Sequence, residues 1–324
     1  MSKSNVNKKV LLLQGGMGAE RNVSLVTGKG FEQALIELGC EYQVIDCKED
    51  LLEKITAAKK DFAPDVALLA LHGKYAEDGI VQSICEYIKL PYTGAGVMGS
   101  ALCMDKIFSK QVLIFNDIPT PAYQVVEKKQ LSKFESVNFN LSSVAPKLNF
   151  PIVVKPSREG SSVGVSIVKT QNEFKAALYL AAQFDNYILI ETFIDGMELT
   201  VPLLDGKVLT PIEIVPKSNF YDYANKYTAG NTEYFLPARI DQKNLESIKL
   251  LAVKAFEACR LRCYGRVDFR VDTKGNPFVI ELNTLPGCTP TSLLPKAAKD
   301  SGISFNQLIA ILIDSATLDY AGVK

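Results

Sequence analysis

The sequence has one histidine, His72, no Cys-x-x-Cys pair and no net charge. A single histidine excludes any metal site built on two imidazoles, and the missing cysteine pair argues against structural zinc. A catalytic metal in this chain has to be a hard cation on oxygen ligands. The 36 basic side chains are balanced by 36 acidic ones, so there is no field for non-specific nucleic-acid binding. The longest apolar runs, such as Val10-Leu13 and Val66-Leu71, fall far short of the ~20 residues that a membrane span needs. The polar start, Met1 to Lys9, leads into no signal-peptide stretch or small-residue cleavage site. The cysteines, Cys40, Cys47, Cys85, Cys103, Cys259, Cys263 and Cys288, follow no pattern. Without an export signal they read as reduced thiols of a cytoplasmic protein. A composition of 47% hydrophobic and 22% charged residues excludes disorder, collagen and coiled coil, and no internal repeat is present.

At 324 residues the chain exceeds one small core and suggests two or three units. The first ninety or so residues alternate strand and helix. Val10-Gln14 ends in Gly15-Gly16. A helix over 22–38 has Asn22 or Ser24 as its cap and Gly39 as its stop. Strands at Tyr42-Asp46 and Asp65-Leu71 and a helix at Gly79-Lys89 complete a pattern that predicts a parallel sheet with ligands at its strand ends. A helix runs from the Pro91-Gly99 region through Asn116. The stretch 127–149 shows no clear period. Pro151-Lys155 and Val163-Lys169 read as strands around the loop Pro156-Ser162, and Asn172-Gln183 as a helix. After the strand Tyr187-Phe193, Asp205-Gly206 joins a hairpin. Residues 217–235 form a polar stretch rich in Tyr, Asn and Lys, and a loop of that length inside a compact unit is usually functional. A helix over 242–260, a second hairpin and two helices close the chain.

That second hairpin carries the strongest constellation. A tight turn centred on Lys274-Gly275 sets Asp268 opposite Glu281 and Arg266 opposite Asn283. Alternation then puts Val267, Phe269, Val271, Phe278, Ile280 and Leu282 on one face. The other face receives Arg266, Asp268, Arg270, Glu281 and Asn283. Opposed carboxylates repel unless a cation lies between them. Two carboxylates and an amide oxygen suit Mg²⁺. The alternative is a polar face that merely meets water.

The strand ending in Lys155 and the loop Pro156-Gly164 offer backbone N–H groups and a charge for phosphate, although the segment is no Walker A loop. A plain turn is the alternative. Gly94-Ala-Gly-Val-Met-Gly99 matches the dinucleotide fingerprint but lacks a clear hydrophobic strand before it. Gly160-Ser-Ser-Val-Gly164 matches a nucleophile elbow but is followed by a strand, and no histidine comes later.

Taken in order, several motifs resemble the D-alanine–D-alanine ligases, ATP-grasp enzymes of peptidoglycan synthesis. They are Gly15-Gly16…Glu20-Arg21…Ser24, Leu71-His72-Gly73…Glu77-Asp78-Gly79, Met104-Asp105-Lys106 and Lys155-Pro-Ser-Arg-Glu-Gly-Ser-Ser-Val-Gly164. After these come Tyr221-Asp222-Tyr223…Lys226-Tyr227, Gly265-Arg266-Val-Asp268 and Glu281-Leu-Asn283-Thr-Leu-Pro286-Gly287. The resemblance implies an α/β (α+β) ATP-grasp architecture. Residues 1–95 would form an N-terminal parallel-sheet substrate domain, 96–188 a central domain and 189–324 a C-terminal domain with the metal site. ATP would lie between the last two, and a homodimer is implied.

The resemblance also implies roles. Asp268, Glu281 and Asn283 would hold two Mg²⁺ ions, with Mn²⁺ able to substitute. Lys106 and Lys155 would bind ATP phosphates and Glu198 the ribose, while Glu191, Phe193 and Ile194 border the adenine. Glu20 would pair with the ammonium of the first D-alanine and, with Ser161 and Tyr227, lock the loops over the site. Arg266 and the Gly287 N–H would form an oxyanion hole, where a preorganised donor is worth about 2.7–4 kcal/mol. Lys226, Ser292 and the Leu293 N–H would receive the carboxylate of the second D-alanine, and His72 would lie near the reacting carboxylate.

Gly18 stands where many members have serine, Thr192 where lysine is frequent, and Cys288 and Pro290 vary within the last motif. The Tyr227 pattern favours the dipeptide over D-alanyl-D-lactate. Another ATP-grasp carboxylate–amine ligase, a catalytically silent nucleotide-binding module and an enzyme using NAD at Gly94 are the competing expectations.

Overall fold

The computed structural model describes residues 7–134, 140–217, 231–289 and 291–321. Three sheets organise them. The first is parallel, with order β2-β1-β3, from β1 (Val10–Gly15), β2 (Tyr42–Cys47) and β3 (Val66–Ala70). Val10, Leu11, Leu12 and Leu13 are all fully buried, as expected of a central parallel strand covered on both faces. Each such side chain contributes roughly 1.5–3 kcal/mol of burial. Helix α1 (Arg21–Leu38) packs Phe31, Ala34 and Leu35 onto this sheet and stops at Gly39, whose φ of 71° lies in the left-handed region. Ser24 is not the cap of α1. It is buried, accepts the Gly15 N–H at 2.7 Å and donates to the Ala70 carbonyl, joining β1 to β3. α2 (Leu51–Asp61), unmarked by any clear signal, and α3 (Ile80–Tyr87) complete this layer.

The expected single helix through Asn116 is two, α4 (Val97–Met104) and α5 (Lys106–Phe115). Asp105 breaks the run with extended dihedrals and caps α5, accepting from Ile107 N at 3.0 Å. Both helices contribute to a core with the third sheet.

The second sheet has order β4-β7-β5-β6 and is antiparallel throughout. It comprises β4 (Tyr123–Glu127), β5 (Ile152–Pro156), β6 (Ser166–Val168) and β7 (Tyr187–Thr192). A 3₁₀ turn (Lys128–Phe134) and the short α6 (Leu141–Val144) occupy part of the stretch that showed no period. α7 (Gln171–Ala181) covers the sheet through Phe174, Ala177 and Leu178.

The third sheet runs β11-β10-β8-β12-β13, with β9 beside β8. Its strands are β8 (Gly196–Leu204), β9 (Lys207–Val208), β10 (Ile212–Pro216), β11 (Thr232–Phe235), β12 (Tyr264–Asp272) and β13 (Pro277–Asn283). α8 (Gln242–Ala258) packs Ile248, Ala252 and Ala255 against it. The last helices, α9 (Leu293–Asp300) and α10 (Phe305–Asp314), join the core of the first sheet, so the chain ends against its beginning.

The β12/β13 register pairs Arg266 with Asn283 and Asp268 with Glu281, as the sequence predicts. The rest of the hairpin differs. The loop is one residue longer, with Asp272 N donating to Asn276 O, and the register shifts by one after Asp268. A bulge near Ile280 compensates for the longer loop. Val279 is therefore the buried core residue, whereas Phe278 and Ile280, both expected in the core, leave it; Phe278 pairs with Arg270, and Ile280 lines a pocket beside the sheet.

Candidate active site

Two adjoining pockets lie where the three sheets meet, and Glu281 lines both. The first is bounded by Lys106, Lys155, Glu191, Thr192, Phe193, Ile194, Glu198, Asp268 and Glu281. The second is bounded by Glu20, His72, Ser161, Arg266, Asn283, Gly287, Ser292 and Leu293. The fold thus brings together every expected site residue except Lys226 and Tyr227, which lie outside the described residues.

β12 and β13 present their polar face to both pockets, Asp268 to the first and Arg266 and Asn283 to the second. Asp268 accepts from Thr200 Oγ1 at 2.5 Å, Arg266 Nε at 2.8 Å, Arg266 Nη2 at 2.9 Å and Asn283 Nδ2 at 2.9 Å. With its amide nitrogen committed to Asp268, Asn283 keeps its carbonyl oxygen as a donor for a cation. Two carboxylates and that oxygen form a hard, oxygen-only set that fits Mg²⁺ once phosphate oxygens and water complete the octahedron. Among the described residues no group of three His, Cys, Asp or Glu could hold a metal.

Lys106, at the start of α5 and buried, donates to Glu159 O at 2.8 Å and lies 3.3 Å from Glu281 Oε2. The loop after β5 is held at its root. Ser157 Oγ donates to Asp105 Oδ1 at 2.7 Å, and Arg158 binds Asp185 through Nε and Nη2. Its tip is held from the first sheet. Ser161, at φ 51°, donates to Glu20 Oε1, and Lys74 meets Glu159. Glu20 precedes α1 without capping it, so its carboxylate is available to the pocket.

In the first pocket, Lys155 Nζ donates to Glu191 Oε1 at 2.5 Å. Burial acts to raise the Glu191 carboxyl, but Lys110 and Lys155 outweigh it and leave the group below its ordinary value. Glu191 Oε2 is buried and ion-paired with Lys110 Nζ at 3.0 Å. A buried anionic acceptor facing a slot lined by Phe193 and Ile194 fits the amino group of adenine. Arg270 fixes that wall, donating to Ile194 O at 3.1 Å and Glu198 Oε2 at 3.4 Å.

His72 is buried. Its Nδ1 faces Leu285 O at 3.0 Å, and its Nε2 faces Thr27 Oγ1 at 2.9 Å. A carbonyl only accepts, so Nδ1 carries the proton. Burial lowers the pKa of the ring, which makes it a neutral tether between α1 and the loop after β13. Ser292 precedes α9 but caps nothing; its Oγ accepts Thr289 N–H at 3.1 Å. Ser292 and Leu293 line the second pocket, so the N-terminus of α9 lies at its wall, where a helix favours an anion. A Cβ at Gly287 would lie 3.2 Å from Ser292 Oγ, so this turn leaves little room for a side chain.

Sequence reasoning missed Lys110, Thr200 and the role of Glu77. Glu77 accepts Gly73 N–H at 3.0 Å, and burial, reinforced by Glu20, pushes its carboxyl up to about 8. Lys110 carried a signal. Lys106 and Lys110 are one helical turn apart on the buried face of α5, where lysine is unusual.

A fold of this kind, with anionic, cationic and oxygen-donor groups meeting at one carboxylate, defines an ATP-dependent ligase with an ATP-grasp fold. A family model described as "D-ala D-ala ligase C-terminus" matches residues 112–314. The chain is 43% identical to the D-alanine–D-alanine ligase of Syntrophotalea carbinolica, covering 96% of this chain and 97% of the relative. It is 41% identical to that of Pelotomaculum thermopropionicum, covering 98% of each. Its fold matches the Bacillus anthracis D-alanine–D-alanine ligase complexed with ATP, with a TM-score of 0.80, 34% identity and coverage of 95% and 97%. It also matches the VanG D-Ala:D-Ser ligase of Enterococcus faecalis, with a TM-score of 0.77, 28% identity and coverage of 95% and 99%. The chain belongs to the D-alanine–D-alanine ligase family.

Proposed function

We propose that this enzyme joins two D-alanines at the expense of ATP, giving D-alanyl-D-alanine for peptidoglycan, and that the two pockets divide the labour. The observation that carries the reading is the shared wall at Glu281, which sets a nucleotide pocket and an amino-acid pocket against each other.

ATP would enter between the second and third sheets, its base against Glu191, Phe193 and Ile194, its ribose at Glu198 and its phosphates at Lys106 and Lys155. Asp268, Glu281 and Asn283 would hold Mg²⁺, which when bound neutralises phosphate charge. Glu20 would take the ammonium of the first D-alanine. The carboxylate of that substrate attacks the γ-phosphorus, ADP departs, and an acyl phosphate results. The amine of the second D-alanine, after losing a proton, attacks the acyl carbon. Arg266 and the Gly287 N–H would stabilise the oxyanion, and the C–O bond to phosphate breaks. Phosphoryl transfer of this kind rests on positioning and charge neutralisation. Ser292 and the Leu293 N–H, with Lys226, would hold the second carboxylate, and Tyr227 would extend the Glu20–Ser161 lock. His72 would hold the pocket wall.

The buried cysteines, none of them in a disulfide among the described residues, support a cytoplasmic setting, and we take the assembly to be a homodimer. Among the described residues no helix is long and apolar enough to cross a membrane. Phosphate release measured with D-alanine, D-lactate, D-serine and L-alanine, with and without Mg²⁺, tests the reading. Turnover should require D-alanine and Mg²⁺ and yield dipeptide across pH 6–9. Preferential depsipeptide formation, or no turnover with D-alanine, would refute it.

A further inference from the structure

Lys110 does not line the nucleotide pocket; it stands behind Glu191, only 1% exposed. Two of its donors are spent on Thr120 Oγ1 at 2.7 Å and Pro121 O at 3.2 Å. Thr120 is itself fixed, donating to Val279 O of β13 at 2.8 Å. The ammonium also lies 5.5 Å from the centre of the Tyr123 ring. So anchored, its third donor and its charge face Glu191 Oε2 at 3.0 Å. Lys155 takes the other oxygen. The result is a carboxylate held in its charged form between two buried cations, so that its remaining lone pairs can only accept.

We propose that Lys110 is a positioning residue that sets base specificity. Acting through Glu191, it holds that side chain as a pure acceptor, so the pocket takes a 6-aminopurine nucleotide and rejects a 6-oxopurine one. The inference rests on the reading of Glu191 as the acid that faces adenine. An amino group donates to a charged carboxylate, whereas an oxo group sets acceptor against acceptor. A buried carboxylate that loses one of two cationic neighbours is pushed toward its protonated form. Protonated, it can donate to an oxo group, and the discrimination fades. Sites that hydrogen-bond a substrate group discriminate because the wrong partner leaves buried polar atoms unpaired.

The test measures kcat/KM for ATP and for inosine triphosphate, which carries an oxo group at position 6 and a proton on N1 in place of the 6-amino group and bare N1 of adenine. The proteins are wild type, Lys110→Met, Lys110→Gln, Lys110→Arg and Glu191→Gln. The ATP preference should fall about tenfold or more in Lys110→Met, as expected for loss of one charge-assisted hydrogen bond. Lys110→Gln, which can still donate to Thr120 but carries no charge, should fall likewise and serves if Lys110→Met does not fold. Lys110→Arg should keep most of the preference, and Glu191→Gln should lose it. An equal loss for both nucleotides in the neutral variants marks a merely structural lysine and overturns the inference. An unchanged ratio in those variants, with a collapsed one in Glu191→Gln, overturns it while leaving the adenine reading intact. An unchanged ratio in Glu191→Gln removes that reading as well.

Discussion

Replacing Ser161 by alanine removes the hydroxyl that ties the loop after β5 to Glu20, 141 residues away in sequence. A hydrogen bond to a charged acceptor is worth about 1.5–3 kcal/mol. Both side chains are only half-buried, so screening favours the lower part of that range. About 1.5–2 kcal/mol corresponds to a loss of roughly 10–30-fold in kcat/KM. The loss should fall on D-alanine rather than ATP. The root of the loop is independently pinned by Ser157 to Asp105 and Arg158 to Asp185. Glu20, by contrast, loses a partner that would orient it toward the substrate ammonium on the proposed reading. Ser161 also sits at φ 51°, a conformation that costs of order 1 kcal/mol for a non-glycine residue. Ser161→Gly should therefore be about fivefold less damaging than Ser161→Ala, because it loses the bond and relieves the backbone. Steady-state kinetics with D-alanine varied at saturating ATP, then the reverse, give both numbers. D-alanine kinetics within twofold of wild type in Ser161→Ala would refute the reasoning.

Glu281→Gln removes the one carboxylate that lines both pockets. It should lower turnover on the order of a hundredfold or more, since metal-assisted charge stabilisation is worth several kcal/mol. Activity within a few-fold of wild type would count against the metal assignment. Thr200→Val deletes the 2.5 Å hydrogen bond to Asp268. The Mg²⁺ concentration for half-maximal rate should rise about 10–100-fold, and an unchanged Mg²⁺ dependence would show that Thr200 does not orient the ligand. Burial lowers the pKa of the sole histidine from its unfolded value, so the unfolded chain binds its proton first as pH falls. The stability it confers is present above pH ~6.5 and is lost below it. The single imidazole NMR signal should stay neutral at pH 6.5, and Tm should fall less from pH 7 to pH 5 in His72→Gln than in wild type. An ordinary titration midpoint would contradict the buried, neutral ring.

Much of the site was legible because its chemistry sits on regular elements. Period-2 alternation put Asp268, Glu281 and Asn283 on one strand face, and the pairing at that end of the hairpin held. It held through two compensating departures, a longer loop and a bulge, neither of which alternation reveals. Phe278 and Ile280 were misplaced for that reason. The break at Asp105 was missed because apolar residues continue on both sides of it, and only the cap geometry separates α4 from α5. Lys110 and Thr200 owe their roles to partners that are distant in sequence. Lys110 reaches Glu191, and Thr200 reaches Asp268 across neighbouring strands. Local periodicity carries no record of such contacts.

Oxygen tracing is the most direct measurement of carboxylate activation at Glu281 and its neighbours. D-alanine labelled with ¹⁸O in its carboxylate is turned over with unlabelled ATP, and the released phosphate is analysed by mass spectrometry. Transfer of one labelled oxygen to each phosphate is the expected result, because the attacking carboxylate oxygen leaves on phosphorus. Phosphate free of label, with dipeptide still formed, would contradict the acyl phosphate route.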